Sequence, residues 1–273
     1  MKKIFLAFAM ALCMLPALAQ KHNLVVGSVT TVNTSWQYKV PMLKDCILRG
    51  LASTGRVDVV DGATLSGLSA QTGEAIAQLK QVGGDYLFEA TLQSLSTSTE
   101  TNKDGKLQYK ATLIYSYKVY EVATGSMIDN AQIDRYGSSS KNTEEAINQC
   151  FVLVDDDMGK MTLKNFYIIS EIKAVDETHP KKGVRSVYIG VGANDGVAPG
   201  NDFEVYKIFK IGEETTTKLI GALKVKEVKS GTLSLCKVTK GGKEIQQCLD
   251  EGAQIAVISV YKPDLFDIVD SIL

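Results

Sequence analysis

Leu107-Gln108-Tyr109-Lys110-Ala111-Thr112-Leu113-Ile114-Tyr115-Ser116-Tyr117-Lys118-Val119-Tyr120-Glu121-Val122, residues 107–122, is the stretch on which the reading of the fold turns. Lys110, Thr112, Ile114 and Ser116 alternate with Ala111, Leu113, Tyr115 and Tyr117. A period of two marks a strand with one face turned to a core. Upstream, Asp85-Tyr86-Leu87-Phe88-Glu89-Ala90-Thr91-Leu92 mirrors it across the turn chemistry of Thr101-Asn102-Lys103-Asp104-Gly105, which predicts an antiparallel hairpin. Downstream, Ala123-Thr124-Gly125 turns the chain into a third strand through Met127, Ile128 and Ile133. Tyr109, Tyr115 and Tyr117 share parity and hence a face, with Tyr120 on the other unless a bulge intervenes. The trio reads first as a core layer under helices and second as an exposed binding face.

Before the hairpin the pattern is strand, helix, strand, helix. Leu24-Val25-Val26-Gly27-Ser28-Val29 is a short buried strand. Leu43, Cys46, Ile47, Gly50 and Leu51 form one helical stripe that starts near Pro41 and stops at Gly55. Arg56 to Asp61 reads as a second strand, and Ala70 to Gln81 as a short helix with Ile76 and Leu79 inward.

After the third strand, Asn142 is an N-cap with Glu145 three residues on. Ile147, Cys150, Phe151, Val154, Met158 and Met161 then hold a helical stripe over more than four turns. Asn165 to Val175 is expected to return to the same sheet, and the polar run Asp176-Glu177-Thr178-His179-Pro180-Lys181-Lys182-Gly183 to be the domain boundary. Beyond it five short strands between glycine turns, at 184–190, 202–209, 219–228, 232–238 and 254–260, suggest a small β-barrel or sandwich. The expected fold is thus an α/β (α+β) domain at 20–176, a mixed sheet with helices on it, and a small all-β barrel at 183–262. A tail at 263–273 follows, where Leu265, Phe266, Ile268 and Val269 are placed to dock as a short helix.

Lys2 and Lys3, the apolar run Ile4 to Leu15 and Ala17-Leu18-Ala19 before Gln20 form the pattern of a secretory signal, residues 1–19, cut between Ala19 and Gln20. A spanning helix needs roughly 20 apolar residues, more than this run supplies. Cys13 follows Leu12, where a lipobox would have Gly, Ala or Ser, so no lipid anchor is expected. Removing Lys2 and Lys3 leaves 28 basic against 31 acidic residues, a net charge of −3, which argues against nucleic acid. Four cysteines remain. Cys236 and Cys248 flank Gly241-Gly242, so a hairpin turning there would set them opposite each other as a disulfide. The alternative is two free, buried thiols.

Motifs that carry chemistry are sparse. Gly190-Val191-Gly192-Ala193-Asn194-Asp195-Gly196 has its third glycine one place late for a dinucleotide fingerprint and reads as a turn. Asp155-Asp156-Asp157 lies in a helix, where successive residues diverge, and reads as a solvated face. His22 and His179 sit beside no nucleophile motif. No catalytic, cofactor or metal residue is therefore assigned.

Two stretches resemble known families. Gly55-Arg56-Val57-Asp58-Val59-Val60-Asp61, Gly83-Gly84-Asp85-Tyr86-Leu87 and Val119-Tyr120-Glu121-Val122-Ala123-Thr124-Gly125 look like the periplasmic domain shared by the curli secretion channel family (CsgG) and the outer-membrane activators of peptidoglycan synthases. Asn194 to Val197, Gly200 to Val205 and Ile220 to Val228 look like the C-terminal barrel of the flagellar assembly protein T. The resemblance implies a non-enzymatic periplasmic or outer-membrane-associated protein that binds an envelope protein or peptidoglycan, and a homo-oligomer is open to it. The alternatives are an oligomeric secretion or assembly ring and a carboxylate-dependent hydrolase of envelope polysaccharide. The missing lipobox and the short turn after Thr97 depart from the channel pattern.

Overall fold

The computed structural model describes residues 21–262. The signal segment with its Ala19/Gln20 cleavage point and the tail at 263–273 lie outside the described residues. The chain divides into two compact units, Lys21–Asn165 and the residues from Phe166 onward.

The first unit is a five-stranded mixed sheet in the order β2-β1-β3-β4-β5. Its strands are β1 (His22–Thr31), β2 (Val57–Asp61), β3 (Tyr86–Thr101), β4 (Leu107–Glu121) and β5 (Met127–Ser139). β1 pairs in parallel with β2 and β3, because helices α1 (Val40–Ser53) and α2 (Thr72–Val82) carry the chain back between them. β3, β4 and β5 form the expected antiparallel meander. α1 and α3 (Thr143–Asn165) pack on one face of this sheet, while α2 buries Ile76 and Leu79 with Val25, Leu87 and Val122 on the other.

Alternation along β4 does what its sequence implies: Leu113, Tyr115, Tyr117 and Val119 are buried. β3 shifts register between Leu92 and Ser94, and this bulge leaves both Leu92 and Leu95 in the core. The stripe on α3 is buried throughout, and its Asn142 cap accepts from the Glu145 amide at 2.8 Å. α1 and α3 cross at backbone distance, since a Cβ on Gly50 would fall 2.3 Å from the Asp155 carbonyl oxygen.

The second unit is a curled seven-stranded antiparallel sheet, a half-barrel, in the order β6-β12-β9-β10-β11-β8-β7. Its strands are β6 (Ile169–Ser170), β7 (Ile172–His179), β8 (Gly183–Ile189), β9 (Asp202–Ile211), β10 (Glu214–Val228), β11 (Ser234–Lys240) and β12 (Ile255–Val260). The edge strands β6 and β7 are one residue apart in the chain, so the sheet must curl to bring its two edges together. Val187, Ile189, Phe203, Val205, Leu223, Val225, Cys236 and Val257 fill the interior.

Three expectations are corrected. Residues 169–179 join the second sheet and do not return to the first, and the run at 176–183 is the end of β7 and its turn into β8. The run is polar because β7 is an edge strand whose residues 173–178 are exposed, where an antiparallel sheet can meet water. The segment after Gly241 is helix α4 (Gly242–Asp250), so the hairpin that a Cys236–Cys248 bond would require does not form. Gly241 adopts φ 75° to start it, and Ile245 and Cys248 point into the core at helical spacing. Cys236 and Cys248 are free, buried thiols, as are Cys46 and Cys150.

Candidate functional site

The residues singled out in the sequence do not converge. His22 stands 3.8 Å from the Asp85 carboxylate with its ring edge-on to Tyr86, while His179 accepts from the Lys181 amide in the β7–β8 turn at 3.1 Å. Asp195 caps the Gly192 amide at 2.8 Å, and a Cβ on Gly192 would lie 2.2 Å from the Ser230 carbonyl oxygen. The glycine-rich segment is thus a close-packed turn.

The aspartate run is not one solvated face. Asp156 is exposed and Asp155 pairs with Arg49 at 3.1 Å, but Asp157 is buried. Its carboxylate accepts from the Tyr115 hydroxyl at 2.8 Å and from the Arg135 guanidinium, whose Nε lies at 2.9 Å. Burial and the adjoining Asp157 charge push the Tyr115 hydroxyl far above its ordinary range. This closed network ties α3 to β4 and β5 and offers no reacting group to solvent.

The tyrosine face divides. Tyr115 and Tyr117 are core, the latter stacked on Phe88 with centroids 5.6 Å apart. Tyr109, farther along the same face, is half-buried and lines a cleft of about 570 Å³. Trp36 and Tyr38 form another wall, Leu95 and Ile147 supply apolar lining, and Asn142, Thr143 and Glu144 from the start of α3 contribute polar groups.

Local chemistry holds the aromatics in place. They ride on a 3-10 turn, Thr34–Lys39, whose first turn is capped by the Asn33 side chain accepting from the Ser35 amide at 2.9 Å. The Val32 amide donates to the Leu92 carbonyl at 3.1 Å, fastening the entry to β3. At its end the buried Lys39 ammonium donates to Glu144 at 2.5 Å and lies 5.4 Å from the Tyr38 ring centroid. Tyr38 itself is 69% exposed.

Sequence reasoning does not single out Trp36, Tyr38, Leu95 or Glu144. The available signal is Trp36-Gln37-Tyr38 set among polar residues just past a strand, since exposed aromatics on a loop are candidates for binding.

Among the described residues, no group of three or more His, Cys, Asp or Glu side chains could hold a metal ion, and no helix is long and apolar enough to cross a membrane. The cleft offers flat aromatic faces, an apolar lining and hydrogen-bonding side chains. Such a lining has the chemistry to pack against a sugar ring or the apolar face of a peptide.

No family model and no curated protein sequence matches this chain. Among solved structures it is similar to a PelC dodecamer from Paraburkholderia phytofirmans, at 16% identity and TM-score 0.36, over 53% of this chain and 91% of that one. It is similar to lipoprotein GNA1162 from Neisseria meningitidis at 12% identity and TM-score 0.34, over 51% and 98% of the two chains. The LpoB C-terminal domain from Escherichia coli aligns at 17% identity and TM-score 0.29, over 46% of this chain and 91% of that one.

Proposed function

We propose that this chain is a non-enzymatic binding or assembly protein of the bacterial envelope, exported to the periplasm, and that its first unit grips an envelope protein or peptidoglycan through the aromatic cleft. The observation that carries the reading is the grouping of Trp36, Tyr38 and Tyr109 around a cleft with Leu95 and Ile147 in its lining. Aromatics anchored beside such apolar surface supply contact area at low entropic cost. The Lys2-Lys3 and Ala17-Leu18-Ala19 pattern supports export.

Trp36 is the only tryptophan of the chain, so its fluorescence reports this cleft. Titration of the mature protein with soluble peptidoglycan fragments is expected to shift that emission saturably. Tyr109→Ala should weaken the response at least about tenfold. If peptidoglycan is silent, a photo-crosslinker placed at Tyr38 is expected to capture an envelope protein. Failure of both removes the reading.

An oligomeric ring is the second reading, favoured by β5. It is an edge strand of the first sheet with Met127, Ile128 and Tyr136 exposed along it. A discrete multimer in solution that dissociates on Ile128→Lys supports it, and a monomer removes it.

A further inference from the structure

The second unit carries a groove of about 610 Å³ with five cations in its lining: Lys182, Arg185, Lys226, Lys237 and Lys240. Two acids, Asp176 and Glu177, share it, which leaves the groove net positive in a chain of net charge −1. Arg185 engages Glu177 at 3.4 Å, and Asp176 accepts from the Ser186 hydroxyl at 2.6 Å. Lys182, Lys226, Lys237 and Lys240 have no ion-pair partner among the described residues.

The sheet sets one of these charges against a further lysine outside the lining. Lys237 stands directly across from Lys224 on β10 and from Ser186 on β8. Like charges facing each other across strands are destabilising, so their grouping calls for a counter-charge. Lys224 finds one in Asp202 at 3.8 Å; Lys237 finds none among the described residues.

The lining also selects among anionic partners. A buried aromatic or aliphatic anchor is what an acidic peptide would need, yet the only large apolar side chains here, Val184 and Val238, belong to the unit's own core. A bilayer is flat and the lysines line a groove. Asp176 and Glu177 would repel a bare chain of phosphates, but their remaining lone pairs accept from hydroxyl groups. A ligand that carries both anionic groups and hydroxyl donors uses the whole lining.

We infer that this groove binds a linear acidic polysaccharide, its carboxylate groups on the lysines and its hydroxyls on Asp176 and Glu177. The site is independent of the aromatic cleft and of the partner that cleft takes.

Calorimetric titration of the mature protein with alginate, a linear uronate polymer, tests the inference. Binding is expected to weaken as salt is raised, and dextran, a neutral glycan, should give no signal. The double variant Lys226→Gln/Lys237→Gln should lose affinity about tenfold or more, two charge-assisted contacts being removed. Lys103→Gln/Lys106→Gln, in the exposed β3–β4 turn of the other unit, should leave it unchanged. The substituted lysines are exposed, so an unchanged melting curve is expected and separates lost contact from lost fold. The inference is overturned if alginate does not bind or if the groove variant binds it as well as the parent. Equal or tighter binding of polyglutamate or phosphatidylglycerol vesicles would instead assign the groove to an acidic polypeptide or a membrane surface and sink the polysaccharide.

Discussion

The two units spend their charges differently. In the first, two ion pairs reach between elements and bury one partner, Lys39 with Glu144 and Arg135 with Asp157, whose side chain is 5% exposed, while others such as Lys110 with Glu100 lie at the surface. In the second, the pairs stand at the surface, as Lys207 with Glu251 and Lys173 with Glu171 do, and four lysines share a groove without ion-pair partners among the described residues. A paired, buried charge positions structure and is withdrawn from binding. An unpaired cation on an outer strand face remains available to a ligand. Net charge over the whole chain hides this distinction.

The largest effect should come from breaking a buried pair. Asp157→Ala removes the acceptor of the buried Tyr115 hydroxyl and the carboxylate that Arg135 grips, and should cost about 3–5 kcal/mol. Denaturant unfolding followed by Trp36 emission reads that unit alone, and a loss below about 1 kcal/mol would erase the contrast. Asp202→Ala is the matching change in the second unit, where the carboxylate meets Lys224 and Lys262 at the surface. It should cost about 0–1 kcal/mol by calorimetry.

Between these lies a pH effect that each unit shows through one thiol. Burial pushes the Cys236 thiol up to about 12, and burial together with the Asp155 charge pushes Cys46 up to about 11. Each folded value stands above the ordinary thiol value of 9.0, so the folded state holds the proton more tightly. The associated stability is complete below about pH 9 and drains away as pH climbs toward 11 or 12, by at most about 1.4 kcal/mol per pH unit for each thiol. Melting temperatures measured from pH 8 to 11 should fall. Relative to the parent, Cys236→Ala should flatten the fall for the second unit and leave the slope of the Trp36-reported transition alone. Maleimide labelling of the denatured mature protein should count four thiols.

A helix cap should show an effect of similarly small size. Asn142→Ala removes the acceptor for the Glu145 amide at the start of α3 and should cost about 1 kcal/mol. Because Asn142 also lines the cleft, the same variant shows whether the cleft keeps its shape when its helix end frays.

Much of this is legible in the residues. The strand from Leu107, its hairpin partner, the α1 and α3 stripes and five of the strands of the half-barrel lie close to where periodicity places them. The misses share a cause. Sequence reasoning sends β6 and β7 to the wrong sheet because a short apolar run says that it will pair but not with which strand. It leaves α4 unassigned and weighs a hairpin at Gly241-Gly242 only as the condition for a Cys236–Cys248 bond, although Ile245, Cys248 and Leu249 already carry a helical spacing. It leaves Asp157 solvated because the three aspartates are weighed as one face, while a single position on α3 meets Arg135 and Tyr115.

The sequence by itself determined the local states, the alternation and stripes that decide which side chains go inward, and the charge total, since these depend on neighbours within a few residues. Tertiary structure alone decided which charges became paired, which aromatics stayed at the surface and where the two grooves lie. The aromatic cleft draws on residues from 36 to 147 and the lysine groove on residues from 176 to 242, and no local spacing encodes a meeting between segments so far apart.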